Sequence, residues 1–372
     1  MWRSVSASRK QLALRLARSD ILFWTLPFLM FLLIVGTIAQ KYIGLQASLE
    51  YYFSSWIFFI GFIPLPAGMT LMSILFINML MKFLCFSDWS WQKAGTILTH
   101  FGVLILIIGG GITALTERDG YIVIEEGASA NIVRDYHQRV LRIREGDQII
   151  SETRHQNITE GKVISIPNTK VTLTITEFCF HCDVVMRPEI ESKDWHKPGS
   201  SMKLIDSKPL LEQEQNMTGV EFRIRGTNSK QDGFYLTFDK FPKPPQIKID
   251  DKVYIVEMGR EERSLPFIVT LKEFKQKLHA GTDLAREYSS DVEIKDGDET
   301  WLQRIEMNEP LRYKGYTLYQ SSFDLSGEKP FTVLSVVENK GQIFPYVATI
   351  IMTIGLLLHM ILRRKRKKDE WS

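Results

Sequence analysis

Only three cysteines and seven histidines occur in 372 residues, and 46 basic against 43 acidic side chains leave a formal net charge of +3. Each scarcity excludes a class of function. Much of the small basic excess sits at the two ends, so the central polar block offers no basic face to nucleic acid. No cysteine–histidine cluster has zinc spacing, and no H-E-x-x-H, phosphate loop or Ser-His-Asp constellation is present. No internal repeat is visible. The chain does not read as a self-sufficient enzyme.

What it has instead is long apolar runs. A membrane-spanning helix needs about 20 mostly apolar residues. Residues 21–39, 69–86, 97–115 and 343–362 meet that requirement. Pro27 and Pro345 fall near the starts of their runs, where a missing N–H is best tolerated. The first run is long and lacks a small-residue cleavage site, which predicts an uncleaved anchor. Mean hydropathy is −0.07 because the polar block over 117–342 dilutes the spans. The expected fold is four transmembrane helices in a 3+1 layout, with a large, mainly antiparallel β domain between spans three and four.

Positive charge orients the layout. Arg3, Arg9, Lys10, Arg15 and Arg18 precede span one, and Arg363-Arg364-Lys365-Arg366-Lys367-Lys368 follow span four. Lys93 lies in the short turn between spans two and three, and Lys41 is the one basic residue between spans one and two. This pattern puts residues 1–20 and 363–372 in the cytoplasm and 117–342 outside. The aromatic-rich stretch near 45–66 holds Glu50, Pro64 and Pro66, and it predicts a helix lying in the membrane interface.

Within the exported block, GYIVIEEG, RVLRIREGD, KVTLTITEF, GVEFRIRG, GFYLTFD, QIKIDDKVYIVEM and TVLSVVEN alternate like half-buried strands. Together they predict one or two sandwich-like cores. A single helix is expected over 271–281, with Gly281 as its stop. Loops are expected over 187–201 and 225–233.

Candidate chemistry is sparse. His100 lies one turn into span three, where an ionisable residue marks either a functional site or a hydrogen bond to a neighbouring helix. Neutral imidazole is also a common axial ligand of haem iron. His359 lies at a similar depth in span four, near the cytoplasmic edge. Cys179 and Cys182 form Cys-Phe-His-Cys in a strand-like setting, which reads as two semi-buried cysteines or a local disulfide and not as a redox centre. Cys85 reads as inert. Asn78 in span two is placed to hydrogen-bond between helices, and Gly109-Gly110-Gly111 would let another helix approach closely. His137, His155, His181, His196 and His279 are scattered and read as surface residues.

The stretch IEMNEPLRYKGYTLYQSSFD before span four, with Met307, Asn308, Pro310, Leu311, Tyr313, Gly315, Tyr316, Tyr319, Gln320 and Ser322, resembles the signature of the ResB/CcsB family of cytochrome c biogenesis proteins. GTILTHFGVLILIIGGGITAL with its EEG turn is similar to that family's third span. Gly36-Thr37, Gln40, Asn78 and PGSSMKLID also fit. The resemblance implies a subunit of the System II cytochrome c synthase in the bacterial inner membrane. Its partners would be a CcsA/ResC-type membrane protein, apocytochrome c and thiol-reducing proteins. It implies haem b as the cofactor held or moved, His100 as the haem ligand, and a structural or docking role for Met307, Asn308, Pro310, Tyr316, Tyr319 and Gln320. The family's tryptophan-rich motif is absent here, as is its usual Asp-Pro-Gly after the signature, so the chain is expected to need its partner. The alternative is a membrane-anchored scaffold that never touches haem.

Overall fold

A computed structural model describes residues 7–188, 194–211, 215–227, 230–279, 281–282 and 285–369. Arg3 and parts of the two expected loops, 189–193 and 228–229, lie outside them. The chain divides into two compact units. One holds residues up to Arg118 and from Glu338 onward; the other runs from Asp119 to Val337.

The first unit contains four helices long and apolar enough to cross a membrane. A basic helix α1 (Ala7–Leu16) leads into α2 (Ser19–Ile43), the first span. α3 (Leu45–Ser48) continues as one π turn, Leu49–Phe53, and a hairpin follows, β1 (Ile57–Ile60) with β2 (Ile63–Pro66). Then come α4 (Gly68–Phe86), α5 (Ala94–Thr116) and, at the far end of the chain, α6 (Phe344–Asp369). Many large apolar side chains on α2 and α6 are exposed, Phe23, Met30, Ile34, Ile350 and Met360 among them. Bare surface of that kind fits lipid and not water. The expected interfacial helix is corrected: only Leu45–Phe53 is helical, and Pro64 and Pro66 force the remainder to be extended.

The second unit is mainly antiparallel β, with a short helical turn at His155–Asn157 and an isolated parallel bridge between Trp195 and Phe234. A four-stranded sheet has the order β11 (Gly233–Phe238), β10 (Gly219–Arg225), β7 (Thr172–Cys179), β6 (Val163–Ser165). A ten-stranded sheet runs β15 (Glu299–Glu306), β14 (Ala285–Asp296), β13 (Lys252–Leu278), β4 (Ser129–Glu145), β3 (Arg118–Glu125), β18 (Phe331–Glu338), β17 (Tyr316–Asp324), β16 (Leu311–Tyr313). Off this path β12 (Gln246–Ile249) pairs with β13 and β5 (Gln148–Arg154) with β4. A small pair, β8 (Cys182–Met186) with β9 (Met202–Asp206), stands apart.

Two cores result. The small sheet stacks Leu173, Ile175, Val220 and Phe222 on Leu141, Ile143 and Val256 of the large one. The rest of the large sheet encloses Ile122, Val133, Phe267, Val292, Ile305, Leu318 and Leu334. β4 and β13 are long enough to serve both. Their register shifts between Arg260 and Glu262 and again between Ser264 and Val269, where the pair bends from one core into the next. At that bend Arg139, 2 % exposed, sets its Nε 3.2 Å from Asp239 Oδ2, and Arg142 donates to Glu152 and to the Arg260 carbonyl.

The helix expected over 271–281 is a strand: β13 continues to Leu278. Leu271 and Phe274 are both buried although three residues apart. A bulge between Leu271 and Glu273 reverses the in–out phase, so a strand carries a helix-like i, i+3 pattern.

Candidate functional site

The spans come closest where the sequence places small residues. Gly95, Gly102 and Gly109 are buried at seven-residue intervals on α5. A side chain at Gly95 would strike the backbone of Gly355 and His359. One at Gly102 would stand 2.6 Å from Met352, and one at Gly109 would strike Phe344. Residue numbers rise along α5 as they fall along α6, so the two helices pack antiparallel at backbone distance. A seven-residue repeat of this kind marks a shallow left-handed crossing. Gly110 and Gly111 have open space beside them. Of the glycine run, Gly109 alone makes the close approach.

Both membrane histidines flank this seam. His359 Nδ1 lies 3.1 Å from Thr96 Oγ1. Thr96 precedes His100 by one turn on the same face of α5. His100 is half-buried, and its ring has no hydrogen-bond partner among the described residues. Lys82 of α4 is near enough to act on it electrostatically, and the Phe83 ring stacks on Phe101 with centroids 6.0 Å apart. No described contact joins the two imidazoles. Thr96 and Lys82 were not singled out from the sequence. The i, i+4 spacing of Thr96 and His100 was legible there; the approach of His359 to Thr96 across 263 residues was not.

Among the described residues no group of three or more His, Cys, Asp or Glu is placed to hold a metal ion. The donors on offer are imidazoles, and these suit axial ligation of haem iron. A ligating histidine usually has its second nitrogen held by a hydrogen bond, which is how Thr96 holds His359. The side chains present therefore fit that group.

Asn78 is buried, and its Nδ2 donates to the carbonyls of Leu16 (2.6 Å) and Arg18 (2.9 Å). It ties α4 to the last carbonyl of α1 and to the residue that precedes α2.

The signature residues divide into two sets. Gln320 is buried: its Oε1 accepts from Ser290 Oγ at 2.7 Å and its Nε2 donates to Thr332 Oγ1 at 2.8 Å. Tyr316 packs edge-on against Phe267, as does Tyr313, whose hydroxyl donates to Asp296 at 2.7 Å. Pro310 is half-buried beside them. Met307 and Asn308 form the exposed tip of a tight turn closed by Glu306 and Glu309. Tyr319 is at the surface. A cavity of about 500 Å³ borders that turn, lined also by Lys275, Lys277, Arg286 and Arg304. Beside it, hydrogen bonds from Arg304 hold the Asp291 carboxyl down to about 2, with Lys275 adding to the effect.

Cys179 and Cys182 are joined by a disulfide and buried beside Leu204 and Leu236. β7 ends at the first and β8 starts at the second, so a turn brings both inward. The expectation of surface histidines is corrected at four of five positions. His137, His155, His181 and His196 are half-buried; His155 lies 4.7 Å from the Phe180 ring, and His196 stacks on Tyr235 at 4.5 Å. Burial holds His155 and His181 below the usual imidazole range. The motif PGSSMKLID is pinned by a buried pair: Arg187 donates to Glu221 at 2.6 Å and to the carbonyls of Gly199 and Met202.

Fold and site define a multi-pass membrane protein that carries one large exported β domain between its third and fourth spans, with both basic ends in the cytoplasm. Residues 249–330, which include the Met307–Ser322 signature, match the profile of the ResB-like family. Protein NrfI of Wolinella succinogenes is 23% identical over 272 residues, covering 71% of this chain and 27% of that protein. The chain thus spans about a quarter of the length of that relative. Taken together, these likenesses make the chain similar to ResB-like proteins over the end of its exported domain.

Proposed function

We propose that this protein is a haem-handling membrane subunit in cytochrome c maturation. It would hold haem b on its cytoplasmic half through His100, with His359 as a second imidazole, and act with a CcsA/ResC-type partner that presents haem to apocytochrome c. The observation that carries this reading is the His100 imidazole, without a hydrogen-bond partner in an apolar span, one turn from the Thr96 that orients His359. A haem there would supply an iron centre for reduction and delivery. The chain's own contribution is two imidazoles beside the α5–α6 seam, and Lys82 as a nearby cation for an acidic substituent. The test is an absorption spectrum of the purified protein, alone and with its partner, for wild type, His100→Ala and His359→Ala. Loss or shift of the Soret band in His100→Ala, with the complex still assembled, supports the assignment. An unchanged band removes it.

A second reading, a scaffold that stabilises the partner or binds apocytochrome c, is favoured by the buried signature residues Tyr316 and Gln320, which brace the exported domain. It predicts no band in any intact sample, and full dependence of cytochrome assembly on the β domain.

A further inference from the structure

The chain between α2 and α4 folds back against α2. α2 ends at Ile43, yet Ser48 Oγ donates to the Gly36 carbonyl at 2.6 Å, and a side chain at Gly36 would stand 2.6 Å from the Phe53 ring. Phe58 of the β1–β2 hairpin is fully buried in one cluster with Leu32 of α2 and Leu71 of α4. At about 1.5 Å rise per residue, Leu32 lies roughly 16 Å below the end of α2, inside a hydrocarbon layer about 30 Å thick. α3 and the π turn therefore run back down beside α2, and the hairpin sits at their lower end.

A hairpin at that depth must hide its backbone polar groups, since hydrocarbon offers them no partner. Two devices do this. In β2, Pro64 and Pro66 alternate, and a residue without an N–H can only take positions that face away from the paired strand. The outer edge of β2 consequently carries no donor at either site. Opposite Pro64, Phe59 faces the outer edge of β1, and there the Tyr51 hydroxyl accepts from the Phe59 N–H at 3.0 Å and donates to its carbonyl at 3.1 Å. The Trp56 carbonyl, where the strand begins, accepts from Ala67 N–H and Thr70 Oγ1. From Trp56 to Pro66 no side chain except the indole can make a hydrogen bond. Gly61, at φ +61°, starts the two-residue turn, and the next residue, Phe62, is completely exposed. Ile57, Phe59 and Ile63 are also largely exposed, as are many apolar side chains of α2.

We propose that residues 45–66 form a re-entrant element, and that lipid acyl chains of the outer leaflet cover its hairpin. The outer edges stripped of donors at Pro64 and Pro66 and capped at Phe59, the absence of charge and the packing level with mid-span residues together select lipid over water. The inference stands whether or not the chain handles haem.

The test uses the full chain in liposomes, with Cys85→Ser and a single new cysteine at Phe62 or, as a second site, Ile60, each carrying an environment-sensitive fluorophore. Nitroxides attached to the acyl chains are expected to quench both labels, and aqueous iodide is expected to leave them unaffected. Adding Tyr51→Phe, which strips the Phe59 backbone of its partner, should shift the label toward iodide access. Quenching by iodide in the unmodified background would overturn the proposal, because the hairpin would then lie in water. A label shielded from iodide and nitroxide alike would overturn it too, since protein and not lipid would then cover the face.

Discussion

A single amide does much of the work of the family signature. Gln320 joins β17 to β14 through Ser290 and to β18 through Thr332, and those two hydroxyls also bond to each other at 3.0 Å. All three side chains are buried, so removing the amide leaves hydroxyls in a dry interior with no water to replace it. Gln320→Ala is expected to destabilise the exported domain by about 2–4 kcal/mol, read from thermal unfolding followed by circular dichroism. Tyr319→Ala, one residue away but at the surface, should change the midpoint little. Adjacent signature residues thus have separable roles, which residue identities alone did not reveal. Alternation along a strand explains the division: neighbours face opposite sides of the sheet.

Among the elements, the α5–α6 pair shows how spacing outweighs residue type. Gly95 and Gly110 are both glycines in one helix, but only Gly95 lies against the backbone of α6. Backbone cannot yield as the end of a flexible side chain can. Gly95→Ala should push α6 away, at a cost of about 1–3 kcal/mol, and disturb the Thr96–His359 contact. Gly110→Ala should be silent. Melting in detergent distinguishes the two, and a matching loss of the Soret band only in Gly95→Ala would connect the seam to haem retention. The same scale marks what the sequence could disclose. The spans, the 3+1 order and most strands were legible, because long apolar runs and strict alternation each have one inexpensive solution. The segment 271–278 was misread as a helix because a bulge changes the phase without any local mark in composition. The β1–β2 hairpin was read as part of an interfacial helix because the aromatic-rich stretch carries no strict alternation. Pro64 and Pro66 exclude a helix, but the burial of Phe58 in one cluster with Leu32 and Leu71 joins segments that no local pattern couples.

Across the whole molecule, the site was legible only in part. His100 and Asn78 were readable as polar residues in apolar runs. The Thr96–His359 contact and the Lys82 neighbour arise from distant segments that no local pattern couples. The exported unit poses a question of a different kind, since it has two hydrophobic cores where many domains of its size have one. β4 and β13 pass through both, with Leu141 and Val256 in the first core and Val133 and Val269 in the second. Ile175→Ala, confined to the first core, is expected to lose about 2–4 kcal/mol. Hydrogen exchange should show the amides of β14, in the second core, losing protection by the same amount. Neither half can melt alone without tearing a strand the other half needs, so local damage becomes global. A protein built this way is expected to offer a protease little that is partly folded, because the exported unit should open as one.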